Sequence, residues 1–391
     1  MEDNLINKPK PFEEQMVTKK GDEEEKKEEK KEDKKEENEE EEDDVEIEQI
    51  IEIKEEKDLD KIEPNMDRLE INDLNSPKIL DKMKTINFQK LEVLALNKTG
   101  INSYNFLNNN IFKTLIILEL KENGIKSIDD ICKVPSIDLK VLDLSSNEIE
   151  SIDELSNAKF KDLEILILSN NKISDIKAIT KGSFTKIKKL DLSKNKITSI
   201  DDLQNDNTLG NLESLYLNEN KIVNISALNK FEKLKELQLN DNEIEVLDDL
   251  AKSPFKDLEE LMLYGNKIEK IDPLQNPNFS KLKILSLGKN KIKVINILAK
   301  CAFKELEKLD LFSNEIDDIN ILENVPFKDK IQELDLSFNK LSSIKILLNK
   351  DNYPHLKELK IEANENLDYS DSSVKDLYDK YNIKYTYNSI I

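Results

Sequence analysis

An α/β solenoid is the fold class this sequence predicts. Three observations predict it: one asparagine that recurs, a fixed phrase of leucines around it, and ends where the phrase breaks. The asparagine stands at Asn123, Asn147, Asn171, Asn195, Asn220, Asn242, Asn266, Asn290, Asn314, Asn339 and Asn364, in steps of 22 to 25 residues. Each belongs to L-x-x-L-x-L-x-x-N-x-I, seen in Leu163, Leu166, Leu168, Asn171 and Ile173 and again in Leu258, Leu261, Leu263, Asn266 and Ile268. A period of this length means units that bury their apolar faces only against their neighbours.

Taken in chain order, residues 1–64 read as an acidic, Lys/Glu-rich disordered tail. Residues 1–60 hold 27 acids and 12 bases, a net of −15 within a chain total of −22. Up to about residue 44 there are too few apolar side chains to offset the entropy of ordering. From Val45 to Ile62 apolar residues return, but their spacing mixes periods of two and of three to four, which assigns no element. Residues 65–87 form an N-terminal cap. Ser76-Pro77 reads as a helix N-cap followed by proline in the first turn. Ile79, Leu80, Met83 and Ile86 follow at helical spacing, giving a short helix over the open end of the solenoid.

Residues 88–368 carry about twelve repeats, the first with Thr99 in the asparagine position. Within a unit, Leu166 and Leu168 alternate with their neighbours, the pattern of a strand with one face buried. Twelve such strands stacked at ~4.8 Å make a parallel sheet roughly 55 Å along its curve. The asparagine amide both donates and accepts, so it can satisfy backbone groups of the turn and of the next unit. Beyond it the phrase continues I-x-x-I-x-x-L-x-x-x-x-F, with phenylalanine at Phe88, Phe112, Phe160, Phe184, Phe231, Phe255, Phe279 and Phe303 and with Leu209 and Tyr353 in equivalent places. These side chains line a return segment of short 3₁₀ or helical turns, or of extended chain. After Asn364 the pattern fails, with Asn366 where isoleucine is due. Residues 369–391 then form a C-terminal cap: a helix marked by Ser372, Val374, Leu377 and Tyr381, and a last strand over 383–387.

The phrase resembles the leucine-rich repeat superfamily over about residues 88–366. Its extension, as in Ile268, Ile271 and Leu274, is most similar to the subclass typified by the leucine-rich-repeat regulatory subunit of type-1 protein phosphatase. The resemblance implies a leucine-rich-repeat solenoid with a curved parallel sheet on its concave face. The subclass also includes dynein light chains, splicing factors and acidic nuclear proteins. Units here run mostly to 24 residues with a late phenylalanine, longer than the phosphatase regulator's. The acidic segment here is N-terminal and lysine-laced, where the acidic nuclear proteins carry theirs at the C-terminus.

Catalysis finds little support. The one histidine, His355, and the two distant cysteines, Cys132 and Cys301, assemble neither a nucleophilic triad nor the four clustered ligands of a structural zinc site. Seven scattered glycines make no phosphate loop. No catalytic, cofactor-binding or metal-binding residue is therefore expected, and no cofactor. A nucleic-acid partner lacks its basic stripe, and no stretch approaches the ~20 apolar residues of a membrane span. The start Met1-Glu2-Asp3-Asn4 lacks a secretory signal, and so few cysteines suit a reducing compartment. The cytoplasm is expected, with the nucleus as alternative.

Residues pointing out of the concave sheet carry no packing duty, so they are where a site is sought. In the first units one lane reads Val93, Ile117, Val141 and Ile165, with Ile167 beside it. β-branched residues suit strands intrinsically, so strand propensity and partner contact both account for that lane. From the sixth unit the same face offers Tyr216, Met262, Tyr264, Ile284, Phe312 and Phe338, with Asp310 and Asp335 alongside. Contiguous apolar surface and aromatic residues near charge are features of interaction sites. The expected function is a non-enzymatic, monomeric scaffold that holds a protein partner on this face, with Tyr264 and Phe312 as central anchors. Two alternatives are a regulatory subunit of a type-1 phosphatase and an acidic histone-binding nuclear protein that works through residues 20–44.

Overall fold

The computed structural model describes residues 53–205, 208–348 and 352–370, with residues 372, 374, 376 and 377. The tail before residue 53 and the strand expected over 383–387 lie outside the described residues. Thirteen strands form one parallel sheet in strict chain order. They are β1 (Arg68–Asn72), β2 (Val93–Asn97), β3 (Ile117–Glu119), β4 (Val141–Asp143), β5 (Ile165–Ile167), β6 (Lys189–Asp191) and β7 (Ser214–Tyr216). The sheet continues with β8 (Glu236–Gln238), β9 (Glu260–Met262), β10 (Ile284–Ser286), β11 (Lys308–Asp310), β12 (Glu333–Asp335) and β13 (Glu358–Lys360). Register follows the phrase: Leu142 pairs with Leu118 and Leu166, and Leu285 with Leu261 and Leu309. All of these leucines are buried.

Strand β1 is a thirteenth unit hidden from the phrase, because Leu74 stands where asparagine would. Its Leu69 and Ile71 pair in register with Leu94 and Leu96. The expected helix forms at Pro77–Thr85 (α1), capped by the Ser76 hydroxyl oxygen, which accepts the Lys78 N–H at 3.3 Å. It connects β1 to β2, so it is the return segment of this extra unit rather than a lid on the end. Residues 53–62, grouped with the tail on composition, are built into the fold. Ile53 bridges Ile71, and Leu59 and Ile62, flanking the end of a 3₁₀ turn over Glu56–Lys61, are buried. At the other end, residues 374 and 377 are helical, and Val374 and Leu377 are buried.

The asparagine is a structural residue, and its partners lie in the preceding unit rather than the next. Asn171 donates to the Leu144 carbonyl one unit back at 3.0 Å and to its own Leu168 carbonyl at 3.0 Å. Its oxygen accepts the Ile149 N–H of the preceding unit at 3.0 Å. Asn195, Asn220, Asn242, Asn266, Asn290 and Asn314 repeat this set. Thr99 lacks an amide and instead donates its hydroxyl to Asn123 Oδ1 at 2.9 Å. Immediately before each asparagine position, including the one that Leu74 fills, the backbone is left-handed, from Asp73 (φ 61°) through Asn170 (φ 54°) to Ala363 (φ 52°). There the ladder changes sides: the Ser146 N–H still donates to the following unit, at Ser169 O, whereas the Lys172 N–H donates back to Ile149 O.

Beyond β2 the described return segments include 3₁₀ turns, such as Asp153–Asn157 and Asn296–Lys300, and a short helix at Lys177–Lys181 (α2). Behind them the phenylalanines form a buried spine. Phe255, Phe279, Phe303 and Phe327 follow one another at centroid spacings of 6.5 Å, and Phe327 extends the expected series. Ser136 interrupts the series, buried with its hydroxyl donating to the Leu115 carbonyl at 2.5 Å.

Candidate interaction surface on the concave face

The face of the sheet turned away from the leucine core is assembled from two strand positions of each unit and the second and third residues after the strand. Strand positions on either side of the central leucine place Ile284, Asp310, Asp335 and Met262 there. The second position after the strand places Tyr264 and Phe312, and the third places Phe338. Tyr264 and Phe312 stack across two units, with ring centroids 6.4 Å apart and planes inclined by 21°. Phe312 and Phe338 continue the row at 5.1 Å. Phe338 keeps 49% of its surface exposed, although it occupies the left-handed position (φ 56°) that a bulky residue rarely adopts.

Gly288 lets Tyr264 and Phe312 meet. It stands at the same repeat position as both, midway between them. A Cβ there would stand 2.8 Å from Tyr264 Cδ2 and 2.7 and 2.9 Å from the Asp310 carboxylate oxygens. Ring and carboxylate therefore converge over the space its missing side chain leaves. The signal was present in the sequence, since 264, 288 and 312 are evenly spaced. Lys289, also missed, holds its ammonium 5.7 Å from the centre of the Tyr264 ring.

The other expected residues are placed differently. Tyr216 is only 8% exposed: its hydroxyl donates to Glu236 and its ring faces Lys189 Nζ at 4.6 Å. Met262 is 7% exposed, and Ile284 is half-buried on the strand between. Of the apolar lane, Ile165 is buried and Val93, Ile117, Val141 and Ile167 are half-buried.

Asp310 and Asp335 have local bonds. Asp310 Oδ1 accepts the Phe312 N–H at 2.9 Å, and Asp335 Oδ1 the Ser337 N–H at 2.9 Å. Asp143 and Asp191 do the same for Ser145 and Ser193. Units without this aspartate use a neighbour's asparagine: Asn218 accepts from Asn240 N–H and Asn240 from Tyr264 N–H. Burial, with Asp310 nearby, pushes the Asp335 carboxyl up to about 6, and burial also raises that of Asp310.

Elsewhere the chemistry is quiet. His355 is exposed. Cys132 and Cys301 are free and buried, and burial pushes both thiols up to about 12. Among the described residues no three His, Cys, Asp or Glu side chains gather as a metal site. No described helix is long and apolar enough to cross a membrane.

Residues 137–181, 161–205 and 232–276 match the model described as leucine-rich repeats in two copies, and residues 185–244 and 256–316 match a second leucine-rich repeat model. Both models are of leucine-rich repeats. No curated protein matches the chain. Among solved structures, an internalin (inlF) of Listeria monocytogenes is 22% identical, covers 80% of this chain and 87% of its own, and superposes with a TM-score of 0.54. A leucine-rich-repeat protein of Leptospira interrogans gives 22% identity, 80% and 82% coverage and a TM-score of 0.59. The ectodomain of the plant receptor kinase GASSHO1/SCHENGEN3 of Arabidopsis thaliana, solved with CASPARIAN STRIP INTEGRITY FACTOR 2, gives 18%, 76% and 41% with a TM-score of 0.53. At these identities the likeness is one of fold: a leucine-rich-repeat solenoid.

Proposed function

We propose that this protein is a non-enzymatic scaffold that holds a protein partner on its concave face, centred on Tyr264, Phe312 and Phe338. The observation that carries the reading is the row of three touching rings on a face with no packing duty, ending in a half-exposed phenylalanine in a left-handed conformation. The repeat sets that backbone in every unit, but a bulky ring is an unfavourable choice for it and serves no core packing here, and clustered aromatics are the usual anchors of an interface. Two free thiols and no disulfide among the described residues support a cytoplasmic setting.

Affinity capture with three baits tests the reading: the intact chain, a chain beginning at residue 45, and the Tyr264→Glu/Phe312→Glu variant. The expected result is a partner retained by the first two and lost by the third, with thermal unfolding of the variant nearly unchanged. A partner that survives the double substitution places the site elsewhere. One lost only on truncation moves function to the acidic segment.

A further inference from the structure

The carboxylates beside the aromatic row differ from the other acids of the solenoid. Along the edge of the sheet, glutamates meet lysines of the next unit closely: Glu164 with Lys188, Glu213 with Lys235 and Glu259 with Lys283, each at 2.7 Å. Among the described residues, Asp310 has no ion pair within 4 Å, and Asp335 has only a long one. They are register partners on β11 and β12, which sets two carboxylates abreast at the ~4.8 Å spacing of strands. Asp310 bonds the Phe312 N–H at 2.9 Å and the Ser286 hydroxyl at 2.6 Å, both neutral donors. The cation nearest Asp335 is Lys360 at 3.8 Å, and that ammonium is bonded more closely, at 2.8 Å, to Glu358. Glu362 adds a third carboxylate near Phe338, with its Oε2 accepting the Ser337 hydroxyl at 2.8 Å. Half-buried acids with weak cationic compensation retain a demand for positive charge. The raised proton affinity of both aspartates is in keeping with this.

Resting on the concave-face reading above, we propose that the partner presents an arginine to this site, its guanidinium bonded to the Asp310–Asp335 pair and lying against the Phe312 and Phe338 rings. A guanidinium is planar, so it lies on a ring face while its fork of N–H groups reaches two carboxylates at once. Lysine offers a point charge without the stacking plane.

Random twelve-residue peptides displayed on phage, panned against the full chain at about 0.15 M salt, test this, because diffuse attraction to the net charge is then screened beyond ~8 Å. Three further targets are the Asp310→Asn/Asp335→Asn, Asp143→Asn/Asp191→Asn and Tyr264→Glu/Phe312→Glu variants. The second removes the same charge from the same lane away from the rings, and in the two Asn variants the new amide oxygen keeps the backbone bond. The expected result is arginine enriched about tenfold over lysine on the wild type and on Asp143→Asn/Asp191→Asn, and no enrichment on Asp310→Asn/Asp335→Asn. Enrichment that persists on Asp310→Asn/Asp335→Asn, or falls equally on both asparagine variants, overturns the proposal. Peptides that need Tyr264 and Phe312 but show no arginine excess overturn it while leaving the concave-face scaffold standing. Arginine peptides indifferent to the rings, or no enriched peptide at all, count against both.

Discussion

Phe338 shows how a single residue can report a function that stability does not explain. A left-handed backbone costs an L-residue about 1–2 kcal/mol, and equivalent units place Lys194 (φ 57°), Ser313 (φ 50°) or Gly265 (φ 67°) there. Against that cost stands one ring contact with Phe312, at 5.1 Å, worth about 0.5–1.5 kcal/mol. Phe338→Gly is therefore expected to change unfolding free energy by less than about 1 kcal/mol, yet to weaken partner capture severely. Chemical denaturation alongside a binding assay separates the two. Asp335 makes a second residue-scale prediction. Its carboxyl rises from 3.8 in an open chain to about 6 in the fold, so the folded state binds the proton more tightly. This residue therefore favours folding most at low pH, and its contribution is lost as pH rises from about 4 through 6. Asp335→Asn keeps the acceptor for the Ser337 N–H and is expected to raise stability at pH 7.5 by about 1–3 kcal/mol. Melting temperatures at pH 5 and 7.5 check this: the gap between variant and wild type should shrink on acidification.

At the scale of the repeating element, the asparagine acts as the rivet between units. Asn266 donates to the carbonyls of Leu239, Leu263 and Tyr264 and accepts the Ile244 N–H. Asn266→Ala strands these groups at the junction of two units, and each unsatisfied buried group costs about 1–3 kcal/mol. The expected loss is about 3 kcal/mol or more, measured as a fall in the denaturant midpoint. Because coupling in a solenoid is nearest-neighbour, a break at this central unit is also expected to lower the transition's slope or divide it in two. A single unchanged transition would contradict the rivet. Much of the element was legible beforehand, because strand alternation, asparagine period and phenylalanine spine all repeat. The left-handed residue before each asparagine was not legible. Its side chain varies from Asp73 to Ala363, so only the backbone carries the requirement.

Across the whole molecule the same lane of acids and lysines becomes a register device. Second positions of successive units read Glu164, Lys188, Glu213, Lys235, Glu259, Lys283 and Glu307, alternating in sign. Looping out one unit would set like charges side by side. Each exposed pair contributes only about 0.2–1 kcal/mol, so the pattern disfavours misassembly more than it stabilises the native state. Lys235→Glu puts a third carboxylate between Glu213 and Glu259, and is expected to cost about 1 kcal/mol at low salt. Most of that should return in 1 M salt, where the screening length is about 3 Å. A cost independent of salt would assign the effect to packing of the lysine stem instead.

Sequence alone determined the solenoid, its period, the buried leucines and the aromatic residues of the open face, because each is written as a repeat that one-dimensional spacing reveals. It did not reveal β1, since Leu74 removed the marker by which units are counted, nor that residues 53–62 belong to the fold. Only the tertiary structure decided which open-face side chains meet. Tyr216 lies on the same face as Tyr264, but it is spent on Glu236 and Lys189. Tyr264 reaches Phe312 because an intervening side chain is missing at Gly288. Burial of a repeat position follows from its spacing, whereas contact between side chains two units apart depends on what stands between them in space.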